Sequence, residues 1–214
     1  MLSRITGLLR ETLIARAFGA SEMTDAFNVA FRLPNLLRRL FAEGAFSQAF
    51  VPILGEVNAK NGQDASKLLI NAVGTLLFWA LSIAVAGGVI GAPWLVLAIA
   101  SGFQHSSNYE ISIVLTRIMF PYIGLISMVS LAAGILNTYK RFMVPAVTPV
   151  LLNLSMIGAS LLIAPHLDTP IYALGIGVMV GGITQLAIQI PALYKIGMLP
   201  RIGLGYKAVS YTHL

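Results

Sequence analysis

The stretch Phe31-Arg32-Leu33-Pro34-Asn35-Leu36-Leu37-Arg38-Arg39-Leu40-Phe41 places three arginines and a proline inside a long apolar segment. An earlier segment, 2–16, carries arginines at positions 4, 10 and 16 and a glutamate at position 11. An arginine at the centre of a membrane helix costs about 2.5–3.5 kcal/mol, whereas a leucine contributes only about 0.3–0.6 kcal/mol. Arg10 lies mid-segment, where its side chain cannot easily reach the membrane surface. We therefore expect Arg10 to face protein or water.

The composition indicates an integral membrane protein of the helical type. Of the 214 residues, 57% are hydrophobic and only 10% are charged, and the mean hydropathy is +0.83. A soluble domain carries about 25% charged residues, and the apolar runs are too long for the strands of a barrel. The net charge is +6, and most of the basic residues lie between the apolar runs or inside the first two. This placement favours anionic membrane lipids as partners over nucleic acid.

Six apolar runs predict an all-α polytopic membrane protein with six transmembrane helices. Their approximate bounds are 1–18, 26–54, 68–91, 111–139, 144–164 and 171–194. In the second run, Pro34 is an expected interruption and Pro52 an expected end, before a polar loop over 55–66. Two glycine pairs, Gly87 with Gly91 and Gly177 with Gly181, permit close helix approach. We expect that packing to lie within the chain rather than in a dimer.

The basic residues between the runs predict an orientation. One side of the predicted bundle receives Lys60, Lys67, Lys140, Arg141, Lys195, Arg201 and Lys207. The opposite side receives acidic loop residues and no basic loop residue. By the positive-inside rule, the basic side and both termini of the chain are cytoplasmic. Ser106 and Thr169 are then periplasmic.

The second run contains a polar stripe along one face. At about 100° per residue, an arc of roughly 80° collects the polar side chains, which are Asp25, Asn28, Arg32, Asn35, Arg39 and Glu43. Pro34 removes one backbone hydrogen bond and can let the second half of the helix swing. A broken helix with such a stripe is typical of helices that line a cavity or move.

Buried ion pairs are the alternative explanation of the stripe, for example Arg32 with Asp25 or Arg39 with Glu43. They explain Arg10 and Arg38 poorly, because residues 1–54, which include the turn between the first two runs, hold six arginines against four acids. The surplus positive charge needs an anion, which is a phosphate-bearing ligand, a chloride ion or a lipid head group. Arginine suits phosphate because its planar guanidinium group can donate two parallel hydrogen bonds and stays charged.

No enzymatic site is expected in this chain. The sequence has no P-loop, no His-Glu-x-x-His motif, no cysteine, and no nucleophile with a nearby base. The three histidines are isolated, and the carboxylates are scattered. We therefore predict no enzyme, no cofactor and no metal site.

Three groups of residues resemble one known family. They are Arg4-x-x-Gly7-x-x-Arg10-Glu11-x-x-x-Ala15-Arg16-x-Phe18-Gly19, the run from Arg32 to Pro52, and Asn137-Thr138-x-x-Arg141-Phe142-x-x-Pro145-Ala146 with Leu152-Asn153. These residues resemble the MurJ (MviN) lipid II flippases, and the resemblance extends to about Arg201. The family belongs to the superfamily of multidrug, oligosaccharidyl-lipid and polysaccharide exporters.

The resemblance implies a function and a set of site residues. The family moves lipid II, an undecaprenyl-pyrophosphate-linked peptidoglycan precursor, across the bacterial inner membrane by alternating access between two lobes. Its functional arginines fall on Arg4, Arg10 and Arg38 here, with Asp25 and Arg39 beside them as substrate-binding residues. Glu11, Arg32 and Glu43 are candidates for ion pairs in the cavity. Glu11 stands where members often carry an aspartate, so the charge is kept with a longer reach.

Six runs correspond to one lobe, which we assign to residues 1–201. The ending, 202–214, does not resemble the approach to a seventh span, so we expect a truncated sequence that lacks its carboxy-terminal lobe and has a non-native tail. Two transport alternatives remain, a flippase for another polyprenyl-linked oligosaccharide and a MATE-type drug exporter. A drug exporter is expected to favour acids and aromatics in its cavity. A non-transporting membrane module that pairs with a second chain is the third alternative.

Overall fold

The computed structural model of the chain describes residues 2–43, 45–103 and 107–203, without the side chains of 37–43, 45, 47 and 107. The regular structure in these ranges is helical. The helices are α1 (Leu2–Phe18), α2 (Glu22–Glu43), α3 (Ala45–Ile90), α4 (Ala92–Ile99), α5 (Ser107–Met119), α6 (Tyr122–Thr138), α7 (Met143–Leu162) and α8 (Tyr172–Lys195). Short 3-10 turns occupy Ser101–Phe103 and Ala164–His166.

Four helical stretches of the described chain are long and apolar enough to cross a membrane. They are Gln48–Ile90, Asn108–Thr138, Met143–His166 and Tyr172–Lys195. The predicted all-α membrane fold is thereby confirmed. The helices α1 and α2 are not among the four, because α1 has only 17 residues and α2 carries the charged stripe. Six transmembrane helices are therefore a proposal, in which α1 and α2 also cross the membrane.

The structure describes the predicted second run, 26–54, as part of two helical segments. The helix α2 continues through Pro34 and is described to Glu43, α3 is described from Ala45, and residue 44 lies outside the described residues. Pro52, predicted to close the run, lies inside α3. A proline removes only one backbone donor, and helices in an apolar environment tolerate that loss where neighbouring groups pack around it. Pro34 is itself buried.

A single glycine breaks the long helix α3. Gly62 has φ 80° and ψ −173°, which are not helical values. Residues predicted as a polar loop over 55–66 are helical on both sides of this break. The Ser66 hydroxyl donates to Asn58 Oδ1 at 3.3 Å, although residues eight apart in a straight helix are separated by about 12 Å. The two halves of α3 therefore fold back on each other at Gly62.

The predicted fourth run, 111–139, contains a second break. The helix α5 ends at Met119 and α6 begins at Tyr122, with Phe120 and Pro121 in the turn between them. The Phe120 ring packs directly on Gly88 of α3, where a Cβ atom would overlap it. The apolar pattern continues across the turn because both helices bury their side chains in the same core.

The core lies between α5, α6, α7 and α8, with one face of α2 against it. Its buried residues include Phe27, Leu115, Tyr122, Met156 and Leu174. A close helix approach joins α7 to α8. A Cβ atom on Gly177 would lie 2.9 Å from Ala159 Cβ, and one on Gly181 would lie 2.7 Å from Leu152 Cδ1. The expectation that Gly177 and Gly181 pack within the chain is confirmed.

The segment after α8 runs along α3. The Arg201 N–H donates to Asn71 Oδ1 at 2.7 Å, and the Gly203 N–H donates to Thr75 Oγ1 at 3.2 Å. The Trp79 indole N–H donates to the Gly203 carbonyl at 3.1 Å. Three side chains spaced four residues apart thus satisfy a non-helical backbone beside an apolar helix.

Candidate substrate cavity

A cavity of about 1260 Å³ lies between α1, α2, α6 and α7, with one residue from α8. Its polar lining comes from all five helices: Ser3, Arg10, Glu11, Thr24, Asp25, Asn28, Asn35, Ser130, Asn137, Thr148, Asn153 and Gln185. Small-molecule sites usually measure about 300–1,000 Å³, so this cavity is large enough for a bulky ligand.

One face of α1 forms the first wall. Residues of α1 that line the cavity follow helical spacing, and they are Ser3, Gly7, Arg10, Glu11, Ile14 and Ala15. The Arg10 guanidinium is largely shielded, with 22% of its side chain exposed, and its Nη2 lies 3.2 Å from Glu11 Oε1. Glu11 is 69% exposed, so this ion pair is solvated and weak.

Asn153 of α7 holds Arg10 in place. Arg10 Nη1 donates to Asn153 Oδ1 at 3.0 Å. The Asn153 amide nitrogen donates to the Ser3 carbonyl at 3.2 Å and to Thr6 Oγ1 at 3.0 Å. Arginine has only donors, so the carbonyl end of the asparagine must face it. One neutral amide therefore links α7 to two turns of α1 and orients the guanidinium without neutralising it.

The polar stripe of α2 forms the second wall. Asp25 and Asn28 are exposed toward the cavity, whereas Ala26 and Ala30 on the other face are buried. Arg32 is exposed but does not line the cavity. Of the predicted stripe, Asp25, Asn28 and Asn35 line the cavity and Arg32 does not.

The structure brings some of the predicted site residues together and not others. Arg10, Glu11 and Asp25 line the cavity, whereas Arg4 is exposed on α1 outside it. The alternative explanation of the stripe included an ion pair of Arg32 with Asp25. These two side chains do not form an ion pair, because Asp25 faces the cavity and Arg32 does not.

Three further predicted residues, Arg38, Arg39 and Glu43, have side chains that lie outside the described residues. The charged residues of the described lining are one cation, Arg10, and two acids, Glu11 and Asp25. The surplus of positive charge expected from the sequence therefore depends on the arginines beyond this lining. Among the described residues, no group of three His, Cys, Asp or Glu side chains could hold a metal ion.

Two amide side chains in the cavity wall had no predicted role. Asn153 anchors Arg10, and Gln185 of α8 donates to the Thr148 carbonyl at 2.8 Å. Gln185 Oε1 is buried and has no hydrogen-bond partner in the described structure. The sequence feature that could have revealed these two residues is an amide side chain inside an otherwise apolar run. Such an amide needs hydrogen-bond partners when it is buried.

Asn153→Ala is expected to loosen α1 and misplace Arg10. Removing three hydrogen bonds in a membrane setting should destabilise the protein by about 1–2 kcal/mol. Thermal unfolding of the purified full-length protein measures this loss. Asn137→Ala is the matched control, because Asn137 also lines the cavity but makes no side-chain hydrogen bond in the described structure. Equal melting temperatures for the two variants would contradict the anchoring role.

Fold and cavity together define the class of the protein as an all-helical membrane protein with a polar, arginine-containing cavity between its first two helices and α6 and α7. The family model described as lipid II flippase MurJ matches residues 14–210. The chain belongs to the MurJ family.

Relatives and a solved structure agree with this assignment. The lipid II flippase MurJ of Burkholderia cenocepacia is 57% identical over 205 residues, which are 95% of this chain and 40% of that protein. The probable lipid II flippase MurJ of Vibrio cholerae is 40% identical over 97% of this chain and 41% of that protein. A solved lipid II flippase MurJ in an inward closed conformation superposes with a TM-score of 0.80 and 27% identity, over 95% of this chain and 41% of that one. The chain thus spans about 40% of the length of the curated relatives it matches.

Proposed function

We propose that residues 1–201 are the amino-terminal, six-helix lobe of a lipid II flippase of the bacterial inner membrane. In this proposal α1 and α2 cross the membrane as the first two spans, and the second lobe closes the cavity from the opposite side. The transported substrate is the undecaprenyl-pyrophosphate-linked precursor of peptidoglycan. The similarity to lipid II flippases and the shared fold support this assignment.

The shielded position of Arg10 is the observation that carries the proposal. A guanidinium has five N–H donors, and the bonds to Asn153 and Glu11 use two of them. The other donors of Arg10 have no partner among the described residues. A neutral amide and a solvated carboxylate leave part of its charge available, and a pyrophosphate offers the bidentate acceptors that match it. Asp25 and the arginines at 38 and 39 complete the proposed substrate site, whereas Arg4 lies outside the cavity.

We expect the basic end of the lobe to face the cytoplasm. The Tyr139 hydroxyl donates to Asn58 Oδ1 at 3.1 Å, so the part of α3 near Lys60 and the turn at Lys140 meet at one end of the bundle. A single cysteine at Lys60 should resist an impermeant thiol reagent in intact cells, and one at Thr169 should react. Labelling measured before and after membrane permeabilisation gives the result. Strong reaction at position 60 in intact cells would overturn the orientation.

Complementation tests the proposed function. The full-length gene, expressed in cells depleted of their own lipid II flippase, should restore growth and normal cell shape. A flippase for another polyprenyl-linked sugar, a drug exporter or a non-transporting module should fail to do so. Failure with protein present in the membrane at a normal level would reject the assignment.

A further inference from the structure

The turn between α6 and α7 places a lysine where helices usually carry a glycine. The Arg141 N–H donates to the Leu136 carbonyl at 2.8 Å, and the Lys140 N–H donates to the Asn137 carbonyl at 3.0 Å. This pattern is a Schellman motif, whose penultimate residue adopts a left-handed conformation. Lys140 has φ 59° and is the one non-glycine residue of the described chain with positive φ.

The end of α8 provides an internal comparison. The Met198 N–H donates to the Leu193 carbonyl and the Gly197 N–H donates to the Tyr194 carbonyl, which repeats the same motif. Its left-handed residue is Gly197, with φ 70°. Glycine adopts this conformation without steric cost, whereas lysine does not. The backbone therefore does not explain Lys140, and a role for its side chain does.

A groove of about 580 Å³ lies beside this turn, outside the central cavity. Three cations line it: Lys140, Arg141 and Lys195. None of the three makes a side-chain hydrogen bond or ion pair among the described residues, and no acid lines the groove. The helix α7 begins at Met143 without a side-chain cap, and its amino-terminal dipole adds to the positive potential. The groove thus has uncompensated charge for an anion.

The remaining wall and the rim of the groove are apolar. Val144, Ile188 and Pro191 form the wall. Phe142 is 59% exposed and Met143 is 82% exposed at the rim. Exposed aromatic and aliphatic side chains next to cations are typical of a membrane surface, where the charges meet head groups and the apolar groups meet acyl chains.

We propose that this groove binds one anionic phospholipid. The phosphate contacts Lys140, Arg141 and Lys195, and the first part of an acyl chain lies along Ile188 and Pro191. Charge complementarity and the adjoining apolar wall together favour a lipid over a free anion or an acidic protein segment. The site is separate from the central cavity, so it does not depend on the proposed transport of lipid II.

The experiment measures lipid binding to the full-length protein in detergent by titration with short-chain phosphatidylglycerol, with phosphatidylcholine and inorganic phosphate as comparisons. Each cation near an anionic lipid contributes roughly a fivefold factor in affinity. The double variant Lys140→Gly with Arg141→Gln should therefore bind phosphatidylglycerol about 25-fold more weakly. Wild-type protein should prefer phosphatidylglycerol to both comparison ligands.

Two controls separate lipid binding from folding. Lys140→Gly places the residue that the left-handed turn favours, so its melting temperature should equal or exceed that of the wild type. Lys60→Gln removes a cation at the same end of the bundle but one that is paired with Glu56 at 2.7 Å, and lipid affinity should change less than twofold. Unchanged lipid affinity in the double variant would overturn the site, as would equal binding of phosphatidylcholine or of inorganic phosphate.

Discussion

Arg10→Ala in the full-length protein is expected to abolish lipid II transport while leaving the protein in the membrane. Removal of a charge from the middle of a membrane helix should favour insertion by about 2.5–3.5 kcal/mol. Loss of a charge-assisted contact to pyrophosphate should weaken substrate binding by about 2–3 kcal/mol or more. Complementation and membrane protein level, measured together, separate these effects.

Arg16→Ala is the matched control for this variant. Arg16 is exposed on the same helix and does not line the cavity, so its removal should leave complementation intact. If Arg10 were instead a structural partner of Glu11 and Asn153, Arg10→Ala would fold poorly, and removal of the partners as well would restore much of the function. A fully active Arg10→Ala variant would show that this side of the cavity does not bind the substrate.

Gly177→Val is expected to prevent stable folding of the lobe. The added Cβ atom would lie 2.9 Å from Ala159 Cβ and 2.9 Å from Met156 Cα. The second of these atoms belongs to the backbone of α7, so a rotamer change cannot relieve the overlap. Overpacking usually destabilises a protein by about 1–3 kcal/mol. We expect the destabilisation of Gly177→Val to be about 3 kcal/mol or more. Yield of monodisperse protein and its melting temperature are the measurements.

Gly158→Ala supplies the control on the partner helix. Gly158 is a helical glycine of α7 with no heavy atom within 4 Å of the position of a Cβ atom. Alanine favours helix over glycine by up to about 1 kcal/mol, so this variant should melt at the wild-type temperature or slightly above it. If Gly177→Val behaved the same way, the close contact of α7 with α8 would not stabilise the fold.

The sequence predicts the last two membrane helices best. The predicted runs 144–164 and 171–194 differ by at most two residues from α7 (Met143–Leu162) and α8 (Tyr172–Lys195). Each is one apolar run with polar or proline residues at its ends. The sequence predicts an end of the run 26–54 at Pro52, whereas Pro52 lies inside α3. The break at Gly62 depends on a backbone conformation that apolar periodicity does not reveal.

The cavity could be predicted only in part. The cost of a charge in a membrane helix indicates that Arg10 needs protection, and helical periodicity indicates which side of α2 is polar. The partner of Arg10 could not be found in this way, because Asn153 lies 143 residues away in the chain. Which helix faces α1 is decided by the packing of α7 on α8, and this packing depends on interlocking shapes rather than on a repeating pattern.

The most direct test of the proposed function measures lipid II movement itself. The full-length protein, reconstituted in vesicles with labelled lipid II in the inner leaflet, should expose the label to an impermeant reagent in the outer compartment. Vesicles with the Arg10→Ala variant should retain the label inside, although the protein is present and folded. Equal exposure of the label with wild-type protein, with the variant and with no protein would contradict the account.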